Sequence, residues 1–275
     1  MPIEKEFGKL SSDDIRLFLG YFPQVSGQFE ESEASLHEDS GLLFAPDAEK
    51  VVWCHFYEKS IKEHLALVLH TFGSLDLLKA LGDAPNQITG LPELLDSLQR
   101  DLDNYEPTEE EAVVLRKRSV LFYGLSYSLY CSLRSLQIFG LYLNELIARV
   151  RVGGKTGDKA LLQAVKIDPT VLACPSVVPR MSQAVLLKDQ RFLGAVQRAM
   201  SGKLTKREQR NYQNVRITLQ ILHETGAQRL SDKALYELFV DELKLVAGER
   251  FSAEGNVANN LRQFAYQFMK QKAVS

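Results

Sequence analysis

Apolar residues recur along nearly the whole chain at three- and four-residue intervals. No run alternates with period two, so the pattern predicts helices and no strands. Ser11 or Ser12, followed by Asp13 and Asp14, opens a short helix through Phe18. Residues 23–45 read as an acidic loop or arm. Pro46 suits a first helical position, and its helix runs through Val52, Phe56, Ile61, Leu65 and Val68 to Phe72, stopped by Gly73. Ser74 to Leu81 is a short helix, and Pro92 starts another with a stripe at Leu91, Leu95, Leu98, Leu102 and Tyr105. Thr108 and Glu111 form a capping box whose helix continues to Gly153 and Gly154. A short helix follows from Asp158 to Lys166. Three prolines (Pro169, Pro175, Pro179) then predict extended chain around helix fragments. The next helix, 182–200, is interrupted near Asp189. Thr205 and Glu208 make a second capping box, with a stripe at Tyr212, Val215, Leu219 and Leu222. Ser231 caps the helix that follows, and the last begins near Asn256.

These elements predict an all-α protein: a multi-helix bundle around one long central hydrophobic helix, with a basic helical C-terminal region. The expected organisation is an acidic arm with one short helix over 1–45, a helical bundle over 46–152 and a basic helical region over 153–275.

The central helix contains the most apolar stretch. From Ser119 to Asn144 it runs 26 residues with one charge, Arg134, long enough to span a bilayer. A mid-span charge costs about 2.5–3.5 kcal/mol even on insertion scales. Both flanks are basic, and five serines dilute the run. The expectation is a bundle core, with a membrane-associated protein anchored by 119–146 as an alternative. Gly124, Ser128 and Ser132 form a small-residue ridge along which another backbone can approach. Arg134 marks a buried polar pocket or an arginine that reaches back to solvent.

Composition is that of an ordinary globular chain, 45% hydrophobic and 25% charged. The opening "MPIEKEFGKLSSDD" lacks the apolar core of a secretory signal. Three scattered cysteines suggest neither a disulfide framework nor a zinc site, so the expected compartment is cytoplasmic. The net charge of −2 hides a polarity. Residues 1–150 hold 13 Lys+Arg against 24 Asp+Glu, and residues 151–275 hold 20 against 11. A basic half of this kind suits an anionic partner, nucleic acid above all. The nucleic-acid-binding candidates are Arg198, Lys203, Lys206, Arg207 and Arg210, together with Asn259, Asn260, Arg262, Gln263 and Lys270 on the last helix. Lys and Arg neutralise phosphates, while Asn, Gln and Arg read base edges.

Other motifs fail on geometry. Gly154-Lys155-Thr156 lacks the strand and the earlier glycine of a phosphate loop. His55, His64 and His70 do not share a metal-binding face. No metal or cofactor is expected.

"RITLQILH" sets Arg216 and His223 two turns apart on one helix face. The pair resembles the Arg-x(4–6)-His motif of the HEPN ribonucleases, which are all-α. The resemblance implies metal-independent RNA cleavage, with Arg216 stabilising phosphate charge and His223 assisting attack by the 2′-hydroxyl. The leading expectation is a non-catalytic helical binding or regulatory protein with a protein partner or self-association. Nucleic acid is contacted through the basic C-terminal half, and the ribonuclease is the alternative.

Overall fold

The computed structural model describes residues 11–13, 15, 16, 19, 20, 53–71, 108–205, 208, 212–225, 230–246 and 254–272. Among them the chain is all-α, with no strand. The helices are α1 (Ile61–Thr71), α2 (Glu109–Phe139), α3 (Leu143–Val152), α4 (Gly154–Ile167), α5 (Val178–Leu186), α6 (Gln190–Ala199), α7 (Gln213–Glu224), α8 (Asp232–Tyr236) and α9 (Glu254–Lys272). Short 3-10 turns cover Trp53–Glu58 and Pro169–Ala173, and a π-helical turn, Glu237–Glu242, continues α8. The acidic arm at 23–45, the expected helices at 74–81 and 92–105, and Lys206, Arg207 and Arg210 lie outside the described residues.

The long helix α2 is the element around which the rest assembles. It lends Tyr130, Cys131, Ile138 and Phe139 to a core shared with α3, α4 and α6, where Leu143, Leu146, Leu161, Val165, Phe192 and Val196 are buried. Leu136 joins a second core with Ile15, Leu19, Val215, Leu219, Leu238, Phe239, Leu261 and Phe268. A helix apolar around much of its circumference fits such a position, because it has protein on more than one side. The ridge expected at Gly124, Ser128 and Ser132 is buried throughout. Ser132 Oγ accepts the Leu143 N–H at 3.3 Å, and Ser128 Oγ lies 2.7 Å from His64 Nε2 on α1. Among the described residues no helix is long and apolar enough to cross a membrane.

Two expectations need correction. The helix that begins at Glu109 does not run unbroken to Gly153. Gly140 adopts φ +77°, and α3 restarts after Tyr142. A Cβ at Gly140 would stand 3.4 Å from the Phe268 ring and 3.6 Å from Arg216 Cδ, so α7 and α9 close on the break. The new helix start is supplied with acceptors: Glu145 takes the Tyr142 N–H at 2.6 Å, as Ser132 takes that of Leu143. The first long helix is also divided. Trp53–Glu58 is a 3-10 turn, and α1 follows a capping box in which Ser60 N–H and Oγ donate to Glu63 at 2.7 and 2.8 Å while Ser60 Oγ accepts from Glu63 N–H.

Elsewhere the local signals meet their elements. Asp189 separates α5 from α6 and accepts the Phe192 N–H at 3.0 Å. Ser231 accepts from Ala234 N–H. The second capping box is half made, with Glu208 accepting the Thr205 N–H at 2.6 Å, and α7 spans Gln213–Glu224. Where the short helix was expected to begin at Asp158, α4 starts at Gly154, directly after Gly153. Gly157 is tight against α3: a Cβ there would lie 3.0 Å from the Arg149 carbonyl.

Candidate nucleic-acid interface

Residues 151–203 contain nine Lys and Arg against three acids, Asp158, Asp168 and Asp189. Every one of the three acids is occupied inside the fold. Asp158 takes both prongs of the Arg180 guanidinium, at 2.7 Å from Nε and 3.0 Å from Nη2. Its hydrogen bonds to Arg180 raise that guanidinium's pKa, against the effect of burial. Such bidentate pairs are the stronger class of ionic contact. Asp189 caps α6 and lies 3.7 Å from the same Arg180. Asp168 is buried, accepting from Thr170 N–H at 2.8 Å and from the Tyr57 hydroxyl. Burial, then the neighbouring Cys131 and Asp168, pushes the Tyr57 phenol well above its usual value, so it stays a donor.

Three of the nine cations are matched by acids: Arg180 by Asp158, Arg151 by Glu58 at 2.6 Å and Lys166 by Glu208 at 2.9 Å. Partial burial pushes the Glu208 carboxyl up, but hydrogen bonds from Lys166 and Thr205 outweigh it and hold the group below its usual range. Glu58 behaves alike, with Ser176 and Arg151 outweighing burial. The remaining six, Lys155, Lys159, Lys188, Arg191, Arg198 and Lys203, are exposed and have no ion pair among the described residues. Lys155 and Lys159 lie four apart on the outer side of α4, opposite buried Ala160, Leu161 and Ala164. Arg191 and Arg198 lie seven apart on α6, which packs against α4. Spacings of four and seven keep each pair on one helix face. Arg198 lies back along its helix, its Nη1 3.6 Å from where a Gly194 Cβ would stand.

Of the sequence candidates, Arg198 and Lys203 thus belong to this exposed set. On α9, Asn260, Gln263 and Lys270 are exposed opposite buried Leu261 and Phe268. Arg262 is shared: its Nη2 donates to Asn259 at 2.8 Å, and its Nη1 lies 3.4 Å from Asp232. The sequence reading omitted Lys155, Lys159, Lys188 and Arg191. Their signal was the local imbalance of nine cations to three acids, set in a part of the chain without a recognisable motif.

The Arg216 and His223 pair sits on α7, but the arginine faces inward. Its Nη1 donates to the Gln137 carbonyl at 2.9 Å, its guanidinium carbon lies 5.6 Å from the Phe264 ring centre, and burial lowers its pKa. His223 lies in the last turn of α7. Arg134 is half-buried over its own helix, with Nη1 3.5 Å from the Tyr130 hydroxyl and the guanidinium 5.9 Å from that ring's centre. Among the described residues no group of three metal-ligating side chains converges. Cys131 and Cys174 are buried and form no disulfide among the described residues.

No family model matches the chain, and no curated protein or solved structure does either.

Proposed function

We propose that the chain is a non-catalytic helical binding module that engages nucleic acid through the cationic surface of α4 and α6, extended by Lys203 and the polar outer face of α9. One observation carries this: all three acids between residues 151 and 203 are engaged within the fold while six cations stand exposed. Exposed cations cost the fold little, and phosphates give them what the protein withholds, through release of condensed counterions. The Asn and Gln side chains of α9 add hydrogen-bonding groups suited to base edges.

Fluorescence anisotropy with a labelled oligonucleotide tests the proposal. The protein binds at low salt, and charge reversal of Lys155, Lys159, Arg191 and Arg198 abolishes binding while the far-ultraviolet dichroism stays unchanged. Absence of binding at low salt defeats it. RNA incubated with the protein stays intact; cleavage that disappears in His223→Ala would replace binding by ribonuclease chemistry. The inward bond of Arg216 to Gln137 favours the non-catalytic alternative.

A further inference from the structure

Four aliphatic side chains stand in solvent at one corner of the molecule. Val178, Val185, Leu186 and Leu187 are 44, 61, 80 and 71% exposed. The first three occupy positions i, i+7 and i+8 of α5, a single stripe, while Ala184 faces the core. An isolated exposed leucine needs no explanation, but three consecutive exposed aliphatics at a helix end form an apolar projection.

Three amides of the corner are satisfied within it. Leu187 N–H donates to Gln183 O at 2.9 Å, Lys188 N–H to Val185 O at 3.1 Å and Asp189 N–H to Ala184 O at 2.9 Å. These amides therefore enter an apolar medium without losing a water partner. The charge that the stripe's own helix carries is masked as well: Arg180 is held by Asp158 and Asp189, with its guanidinium 3.8 Å from the Phe192 ring centre. Beside the projection stand Lys188 and Arg191, exposed and without ion pairs among the described residues. A second copy docking corner to corner about a two-fold axis would bring those cations against their own images. A surface rich in acidic headgroups takes both the aliphatic tip and the cations.

We infer that the α5–α6 corner docks peripherally on anionic membranes: Leu186 and Leu187 enter the boundary between headgroups and acyl chains, and Lys188 and Arg191 meet the headgroup anions. This goes beyond the nucleic-acid proposal and stands on a different observation, the exposed aliphatics. The two partners share Lys188 and Arg191, so oligonucleotide competes with lipid.

Sedimentation with vesicles tests the inference, comparing phosphatidylcholine alone with an equimolar mixture of phosphatidylcholine and phosphatidylserine. The full chain pellets with the mixture and stays in the supernatant with phosphatidylcholine. L186S/L187S, at exposed positions that leave the core intact, weakens pelleting by about tenfold or more and leaves oligonucleotide affinity unchanged. K188E/R191E releases the protein from the mixed vesicles. A chain that never pellets overturns the inference, and so does L186S/L187S pelleting like the parent, because charge alone would then explain the attraction. If L186S/L187S instead abolishes self-association in sedimentation velocity with vesicle binding unaltered, the corner is a contact between copies and the inference falls. None of these outcomes touches the oligonucleotide result, so the two proposals fail separately.

Discussion

Arg180 and Asp158 face each other across 22 positions of sequence through two parallel bonds, 2.7 and 3.0 Å long. This pairing, with Asp189 beside it, engages two of the three acids of residues 151–203. It also ties α5 to α4 and lays the guanidinium on Phe192. Arg180→Ala is expected to lower stability by about 2–3 kcal/mol, the loss of a charge-assisted pair and a cation–π contact. Urea unfolding followed by dichroism measures it. The same variant releases Asp158 and Asp189 among the cations, so oligonucleotide affinity falls even though Arg180 touches no phosphate.

Lys272 near the end of α9 is a second ionic fastening. Its ammonium lies 2.6 Å from Glu145 and 4.6 Å from the Tyr142 ring centre, with the lysine side chain 3% exposed. Burial lowers the lysine pKa, and Glu145 opposes that shift. Lys272→Ala leaves a largely buried carboxylate unmatched, and an expected loss of about 3–5 kcal/mol follows. The double variant E145L/K272M loses much less, because no lone charge remains. A double-mutant cycle from urea midpoints checks both.

His64 provides the pH dependence. It is fully buried, its Nδ1–H donates to the Ser60 carbonyl at 3.0 Å, and Nε2 is left to accept the Ser128 hydroxyl at 2.7 Å. Burial lowers its pKa from 6.5, partly opposed by the Ser60 carbonyl. The folded state therefore binds fewer protons than the unfolded state just below that value. Stability is full above about pH 6.5 and declines as pH falls through the window between the unfolded and folded values. His64→Gln flattens that part of the urea-midpoint profile. An unaltered slope in the variant would assign the dependence to other groups.

Gly140 is where α2 ends and α3 turns away. Gly140→Ala puts a side chain at φ +77° and a methyl group 3.4 Å from Phe268. The backbone cost alone is about 1–2 kcal/mol, read as a lower melting temperature. Ala at Gly20, where no atom lies within 4 Å of the added methyl, is the control.

Much of the fold is legible in the sequence because its signals are local. The stripes of α7 and α9, the Ser231 cap and the interruption at Asp189 follow from residues within a turn of one another. The breaks that sequence reading passed over were written in the same alphabet. Ser60 and Glu63 have capping-box spacing, and Gly140 lies two residues before the Tyr142 amide that Glu145 receives. A continuous apolar pattern hid both. The candidate surface was legible only as a charge excess. That Asp168 is spent on Tyr57, 111 positions away, or Glu58 on Arg151, 93 away, depends on tertiary packing that no local pattern encodes. Without those pairings the four cations Lys155, Lys159, Lys188 and Arg191 look like ordinary solvated charges.

The most direct measurement is the salt dependence of oligonucleotide affinity for the full chain and for its quadruple charge reversal at Lys155, Lys159, Arg191 and Arg198. On duplex DNA the logarithm of affinity should fall with the logarithm of salt concentration by about 0.9 per phosphate contacted, so the parent shows a steep negative slope. The reversed variant should bind too weakly for a slope to be drawn. Equal slopes and equal affinities for the two proteins would contradict the account, since the exposed cations of α4 and α6 would then have no part in binding.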